Sequence, residues 1–169
     1  METIKCIMTR RSVRSYSGKK VTRAQIKKLL EAAMNAPSAR NQQAWQFIVI
    51  TKREIMEAVT QVHPYAQMLK TASCAIVVCG DLKAEQSPGY WVQDCSAATQ
   101  NILLAAHSLG LGSVWLGVFP RDPRVKGVKK LLKLPAHIVP LGIVSIGYPL
   151  GRSKPVKRYR QNKVHYESW

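Results

Sequence analysis

Asp94-Cys95-Ser96-Ala97-Ala98-Thr99-Gln100-Asn101-Ile102-Leu103-Leu104-Ala105-Ala106-His107-Ser108-Leu109-Gly110-Leu111-Gly112-Ser113-Val114-Trp115-Leu116-Gly117 decides the fold class. A helix is expected over Asp94 to Leu109. Ala97, Ala98, Ile102, Leu103, Leu104, Ala105, Ala106 and Leu109 surround it almost completely, and a helix apolar on most sides is buried. Its small residues permit close packing, including against a copy of itself. Gly110 is placed to stop it, and Ser113 to Phe119 reads as a strand. The glycines therefore follow a helix and open a strand. The dinucleotide-binding fingerprint has the opposite order, and this run is not Gly-x-Gly-x-x-Gly. Gly117 on the strand would let a flat ligand approach the backbone; the bland reading is a stop glycine and a packing glycine.

The flanking elements are mixed without strict βαβ alternation, which argues for an α+β fold over a doubly wound sheet. Thr3 to Thr9 is a short helix with Ile4, Ile7 and Met8 on one side. Thr22-Arg23-Ala24-Gln25 is a capping box. It opens a helix carrying Ile26, Leu29, Leu30, Ala33 and Met34, with Lys27 and Lys28 toward water and Pro37 as the stop. Trp45 to Thr51 is a strand, Arg53 to Gln61 a helix broken at His63-Pro64, and Tyr65 to Thr71 a short helical turn. Cys74 to Gly80 is a central strand, apolar on both faces. Asp122-Pro123 supplies a cap and an N1 proline to a helix with Val125, Val128, Leu131 and Leu132. Val139 to Tyr148 is a fourth strand. After Pro149 the chain turns polar and basic and ends in a Trp that needs somewhere to bury its ring.

The 169 residues are 46% hydrophobic, which is globular composition for one domain, 1–169, with a sizeable core. No apolar run is long enough for a bilayer and no leader pattern opens the chain, so a soluble, cytoplasmic protein is expected. Cys6, Cys74, Cys79 and Cys95 form no Cys-x-x-Cys pair and read as reduced core thiols. His63, His107, His137 and His165 lack ligand spacing, so no metal site is expected. The formal net charge is +17. Nucleic-acid binding, attraction of anionic small molecules and a plain surface adaptation would each account for it. The basic residues are spread over helix faces, which disfavours a dedicated nucleic-acid groove.

Three further segments bear on chemistry. Arg10-Arg11-Ser12-Val13-Arg14 packs three guanidinium groups and a hydroxyl into five residues. Guanidinium forks fit phosphate better than lysine does. Pro37-Ser38-Ala39-Arg40-Asn41-Gln42-Gln43-Ala44-Trp45 is a polar loop whose amides suit a ring with alternating N–H and C=O groups, or simply satisfy a turn. Lys154-Pro155-Val156-Lys157-Arg158-Tyr159-Arg160 is a second basic cluster, a phosphate partner if it folds back beside Arg10, and otherwise a solvated tail. There is no nucleophile elbow and no Cys with an obvious His partner. Only nine acidic residues are present, none paired for acid–base hydrolysis. Any hard chemistry belongs to a cofactor.

Taken in register, these segments and Ile146-Gly147-Tyr148-Pro149 resemble the nitroreductase family of FMN-dependent oxidoreductases over essentially the whole chain. The resemblance implies an α+β sandwich with a mainly antiparallel central sheet flanked by helices. It implies a homodimer with FMN between subunits and a C-terminal tail wrapping the partner. Carried over, Arg10, Arg11, Ser12 and Arg14 hold the phosphate and ribityl end, with Arg14 also reaching the N1–C2 edge of the ring. Pro37, Ser38, Ala39 and Asn41 come from the other subunit and line the isoalloxazine. Leu116 and Gly117 lie near N5, with a backbone N–H available there. Lys157, Arg158 or Arg160 completes the phosphate seat. The implied activity is ping-pong hydride transfer from NADH or NADPH through the flavin to a nitroaromatic, quinone or similar small acceptor. No protein acid or base and no membrane or specific nucleic-acid partner is required. A flavin protein of the same fold without reductase activity, and a basic nucleic-acid-binding protein, are the alternatives. The chain departs from the family at Ala44, where Pro is common, and at Gln161, Asn162 and Lys163, where acidic residues are common. It lacks the insertion that caps the site in longer members, and its charge is not a family feature.

Overall fold

Cys74–Asp81 (β2) and Ile138–Gly147 (β4) are the inner strands of a four-stranded sheet, and alternation along β2 shows why. Cys74, Ile76 and Val78 enter one core, whereas Ala75, Val77 and Cys79 enter the other. A strand whose side chains are apolar on both faces needs a helical layer on each side. The computed structural model describes residues 2–151 and 156–169. The sheet order is β1-β2-β4-β3, antiparallel throughout, with Trp45–Ile50 (β1) and Gly112–Gly117 (β3) at the edges. Pro140 in the inner strand β4 pairs with Cys79 at a register shift, where a missing ladder N–H is tolerated.

Arg23–Met34 (α2) and Trp91–Ser108 (α4) cover one face; Leu29, Ala33, Ala98 and Ile102 meet Ile76 and Val78 there. Arg53–Val62 (α3) and Asp122–Leu132 (α5) cover the other, placing Met56, Val59 and Val128 against Val77 and Ile143. The capping box forms as expected: Gln25 N–H donates to Thr22 Oγ1 at 3.2 Å while Thr22 N–H donates to Gln25 Oε1 at 3.0 Å. The four cysteines are free and buried. No helix among the described residues is long and apolar enough to cross a membrane.

Several boundaries differ from expectation. α4 begins at Trp91, not Asp94, because the Glu85 carboxylate accepts from the Trp91 N–H at 3.0 Å and opens the helix one turn early. Asp122 lies inside α5; the N-cap is Arg121, without a side-chain cap bond. β3 ends at Gly117, and the backbone N–H groups of Val118 and Phe119 both turn to the Leu141 carbonyl. Thr3–Thr9 (α1) forms as expected, but Ile4, Ile7 and Met8 remain exposed and only Cys6 is buried. Residues 156–169 lie entirely on the surface, and the Trp169 ring stacks on His165 at 4.3 Å while fully exposed within the single chain. Arg152, Lys154 and Pro155 of the basic run lie outside the described residues.

Candidate functional site

The cation-rich segment is laid against the sheet by its backbone. Val13 N–H donates to the Ser113 carbonyl at 2.9 Å, and Ser12 bridges Ser113 in parallel sense. Ser17 N–H donates to the Tyr148 carbonyl, and Leu150 N–H to that of Ser15. Two glycines make room. A Cβ on Gly112 would stand 2.7 Å from Val13 Cγ1, and one on Gly147 would stand 2.7 Å from the Tyr16 ring. Tyr16 anchors the far end. Its buried hydroxyl meets the Ser145 side chain at 3.0 Å and the Val13 carbonyl at 2.9 Å, and burial pushes its pKa up to about 12.

An extended run alternates its side chains. Val13 turns inward, leaving Ser12 and Arg14 exposed and Arg10 half-buried. Arg11 folds back on the end of α1, its Nη1 donating to the carbonyls of Arg10 at 2.7 Å and Met8 at 3.2 Å. Burial first, then the charges of Arg158 and Arg11, lower the Arg10 pKa. Arg158 of the tail is therefore within electrostatic reach of Arg10, and it is exposed on the surface like Lys157 and Arg160. Neither Arg10 nor Arg158 pairs with a carboxylate among the described residues. Like charges gathered without a counter-charge raise one another's free energy, and an anion relieves them.

The amide loop is held differently. Ala39 N–H donates to Asp94 Oδ1 at 3.0 Å, and Gln42 Nε2 donates to Asp94 Oδ2 at 2.6 Å. The Gln42 carbonyl oxygen accepts from the backbone of Gln86 at 2.8 Å and Ser87 at 3.0 Å. Ser38 Oγ accepts from Gln43 N–H at 3.1 Å. Arg40, Asn41 and Gln43 take φ of 50°, 53° and 49°. Left-handed backbone at three non-glycine residues is sparsely populated and persists where its surroundings enforce it. The buried carboxylate of Asp94 is one such constraint, and the sequence reading missed it. Its signal was an acid on the buried side of an otherwise apolar helix.

α4 separates the two halves. Pro37, Ser38 and Ala39 line a hollow with Tyr90, Asp94 and Ala97 at its start. Thr9, Arg11, Val13, Gly112 and Ser113 line a groove of about 330 Å³ with His107 near its end. Asp94 and His107 are about 20 Å apart along the axis at 1.5 Å per residue. Within one chain the halves do not meet.

β3 links the cation seat to a third feature. It starts beside Ser12 and ends at Gly117, about 14 Å from Ser113 at 3.4 Å per residue. Leu116 buries its side chain in the core, so only its backbone is available to a ligand. Gly117 is exposed, and a Cβ there would meet nothing within 4 Å, unlike one on Gly112, Gly142 or Gly147. The packing of this chain does not demand glycine at 117; a molecule lying against the strand would. The Gly117 carbonyl accepts from His63 Nε2 at 2.9 Å and Arg124 Nη1 at 3.0 Å. His63 Nδ1 accepts from Tyr65 N–H at 3.3 Å, which fixes the neutral tautomer with its proton on Nε2. Burial lowers the His63 pKa, opposed by the Gly117 bond and aided by the Arg124 charge. His63 was read only as a helix breaker.

The model of the Nitroreductase family matches residues 7–63 and 57–148, together most of the chain. The chain belongs to the nitroreductase family. Relatives within it include a provisionally named NADH dehydrogenase/NAD(P)H nitroreductase of Methanothermobacter thermautotrophicus, 46% identical over 169 residues, covering 100% of this chain and 88% of the relative. A protein of the same description from Archaeoglobus fulgidus is 48% identical, covering 99% of each chain. A crystal structure so described from Parabacteroides distasonis superposes with a TM-score of 0.95 at 43% identity, covering 99% of this chain and 98% of the other. The α+β nitroreductase sandwich expected from the sequence is the fold observed, and the family is one of oxidoreductases.

Proposed function

We propose that the protein is an FMN-dependent oxidoreductase that passes hydride from NADH or NADPH to a nitroaromatic, quinone or similar acceptor. A provisionally named nitroreductase of Desulfovibrio desulfuricans, solved in complex with FMN, is 28% identical with a TM-score of 0.86, covering 100% of this chain and 98% of that one. An FMN reductase [NAD(P)H] of Bacillus subtilis is 28% identical, covering 98% of this chain and 73% of the relative. The observation that carries the reading is the pairing of a cation seat and an open glycine at the two ends of β3. A phosphate at one end and a flat ring at the other are what those groups suit.

Arg10, Ser12, Arg14 and Arg158 would hold the phosphate and ribityl chain, and Arg11 would stiffen the base of that seat from α1. The Gly117 strand end would set the ring's height, and the Leu116–Gly117 backbone would offer its donor near N5. Arg14 would reach the N1–C2 edge, where a fixed cation favours added negative charge. Bound flavin supplies the two-electron chemistry. The chain contributes binding, orientation and electrostatics, and no side-chain acid or base is required. Donor and acceptor would use the same open face in turn.

The second half of the site belongs to a second copy of the chain. Pro37, Ser38, Ala39 and Asn41 lie at the opposite end of α4 from their own Arg10–Arg14 cation seat, so a two-fold pair with antiparallel α4 helices would bring a partner's loop to it. Between α1, α2 and α4 lies a groove of about 360 Å³ that includes Cys6, Ile7 and Leu104, and Ile4, Met8 and Met34 stand exposed on these helices. A partner's α4 and tail would cover that face and bury Trp169.

The purified protein should be a yellow dimer whose flavin absorbance bleaches anaerobically with NAD(P)H and returns with an acceptor. A colourless protein that cannot be reconstituted with FMN overturns the reading.

A further inference from the structure

The rim beside Gly117 carries a group that hydride transfer does not need. Arg124, in the first turn of α5, reaches back over the strand end. Its Nη1 donates to the Gly117 carbonyl at 3.0 Å, and its guanidinium carbon lies 5.3 Å from the centre of the Tyr65 ring. Tyr65 is in turn tied by its backbone to His63. Strand, helix and the turn after α3 thus fix one cation in place. A guanidinium has five N–H donors, and the Gly117 bond uses one. No carboxylate among the described residues pairs with Arg124. Phe119, two residues beyond Gly117, is partly exposed and packs edge-on against Trp91 with ring centres 5.0 Å apart. An immobilised planar cation stacked on the exposed Tyr65 ring, with most of its donors unspent and a further exposed ring at Phe119 on the same strand exit, suits a planar aromatic molecule that bears anionic oxygens.

We propose that Arg124 is a specificity-determining residue that binds the anionic oxygens of the electron acceptor, favouring carboxylated nitroaromatics or quinones over neutral ones. The assignment rests on the flavin reading, because the place of Gly117 beside the ring puts Arg124 next to the reacting molecule. The overall charge of +17 does not do the same work. Mobile surface lysines attract anions without orienting them, whereas a held guanidinium fork orients a carboxylate.

The test uses FMN-loaded protein at 150 mM salt and compares benzoate with benzamide, its neutral counterpart, by calorimetry and flavin difference spectra. Wild type should bind benzoate about tenfold more tightly than benzamide. In Arg124→Gln that preference should collapse toward one, and Arg124→Lys should restore only part of it. Lys126→Gln, which removes the same charge from the far side of the same helix, should keep the preference. Turnover of 4-nitrobenzoate against 4-nitrobenzamide should shift in parallel, through KM rather than kcat. An unchanged preference in both Arg124 variants, or an equal loss in Lys126→Gln, overturns the proposal. So does a loss confined to reduction by NADPH, which would assign Arg124 to a donor phosphate instead. Protein that takes up no FMN is recognised as colourless before any benzoate is added, and its failure belongs to the flavin reading.

Discussion

The Arg10–Tyr16 segment and the Pro37–Gln43 loop both border α4, yet they are built in opposite ways. The first is fixed by its backbone to β3 and to the exit of β4, with glycine notches beneath it, and presents charged side chains outward. The second is fixed by side chains, a buried carboxylate and a buried amide, and holds its backbone in left-handed conformations. Where side chains do the binding, they can be changed without loss of the fold. Where side chains hold the binding backbone, changing them loses both.

Asp94→Ala should have the largest effect, because it strands the Ala39 N–H and the Gln42 amide in a buried setting. Unfolding free energy in urea should fall by about 3 kcal/mol, and FMN affinity should fall with it. Asp94→Asn, which keeps one acceptor, should lose less. The paired replacement Arg10→Gln with Arg14→Gln is the opposite case: FMN binding should weaken about 100-fold with the denaturation midpoint of the apoprotein almost unmoved. If that variant unfolds, the segment is structural and the contrast is broken.

Glycines sharpen the comparison. Gly147→Ala drives a Cβ into the Tyr16 ring and should cost about 2 kcal/mol of apoprotein stability. Gly117→Ala meets open space, so its apoprotein should match wild type within about 0.5 kcal/mol while FMN titration shows weaker binding. Equal stability losses at both positions would remove the case for a ligand against Gly117.

The smallest effect is acid sensitivity. Burial lowers the pKa of His63 from 6.5, and burial together with Arg10 and Arg11 lowers that of His107. The unfolded chain then binds more protons than the folded one as pH drops below about 6.5. Stability is therefore complete above that value and declines as pH falls through the folded-state pKa values. A thermal midpoint that rises between pH 7 and pH 5 would contradict the neutral His63 on Gly117.

Much of this was readable from residues a few positions apart. The Thr22–Gln25 box, the apolar run of β2 and the stop at Gly110 follow from neighbours within one helical turn or one strand. Asp122 misled because an Asp before Pro fits a cap equally well as a first-turn residue. Asp94 and His63 escaped because their partners lie 52 to 55 positions away, at Ala39, Gln42 and Gly117. Their own sequence surroundings carry no sign of that pairing.

By itself the sequence determined the order and kind of elements, the two-faced central strand and the four segments whose company marks the family. These depend on period, capping and backbone preference, which act locally. Only the tertiary structure decided that the cation seat and the amide loop stand at opposite ends of α4, that the charge of Arg158 acts on Arg10, and that Gly117 faces open space while His63 and Arg124 hold its carbonyl. Those relations depend on how distant stretches cross, and the long-range packing of the two cores fixes them.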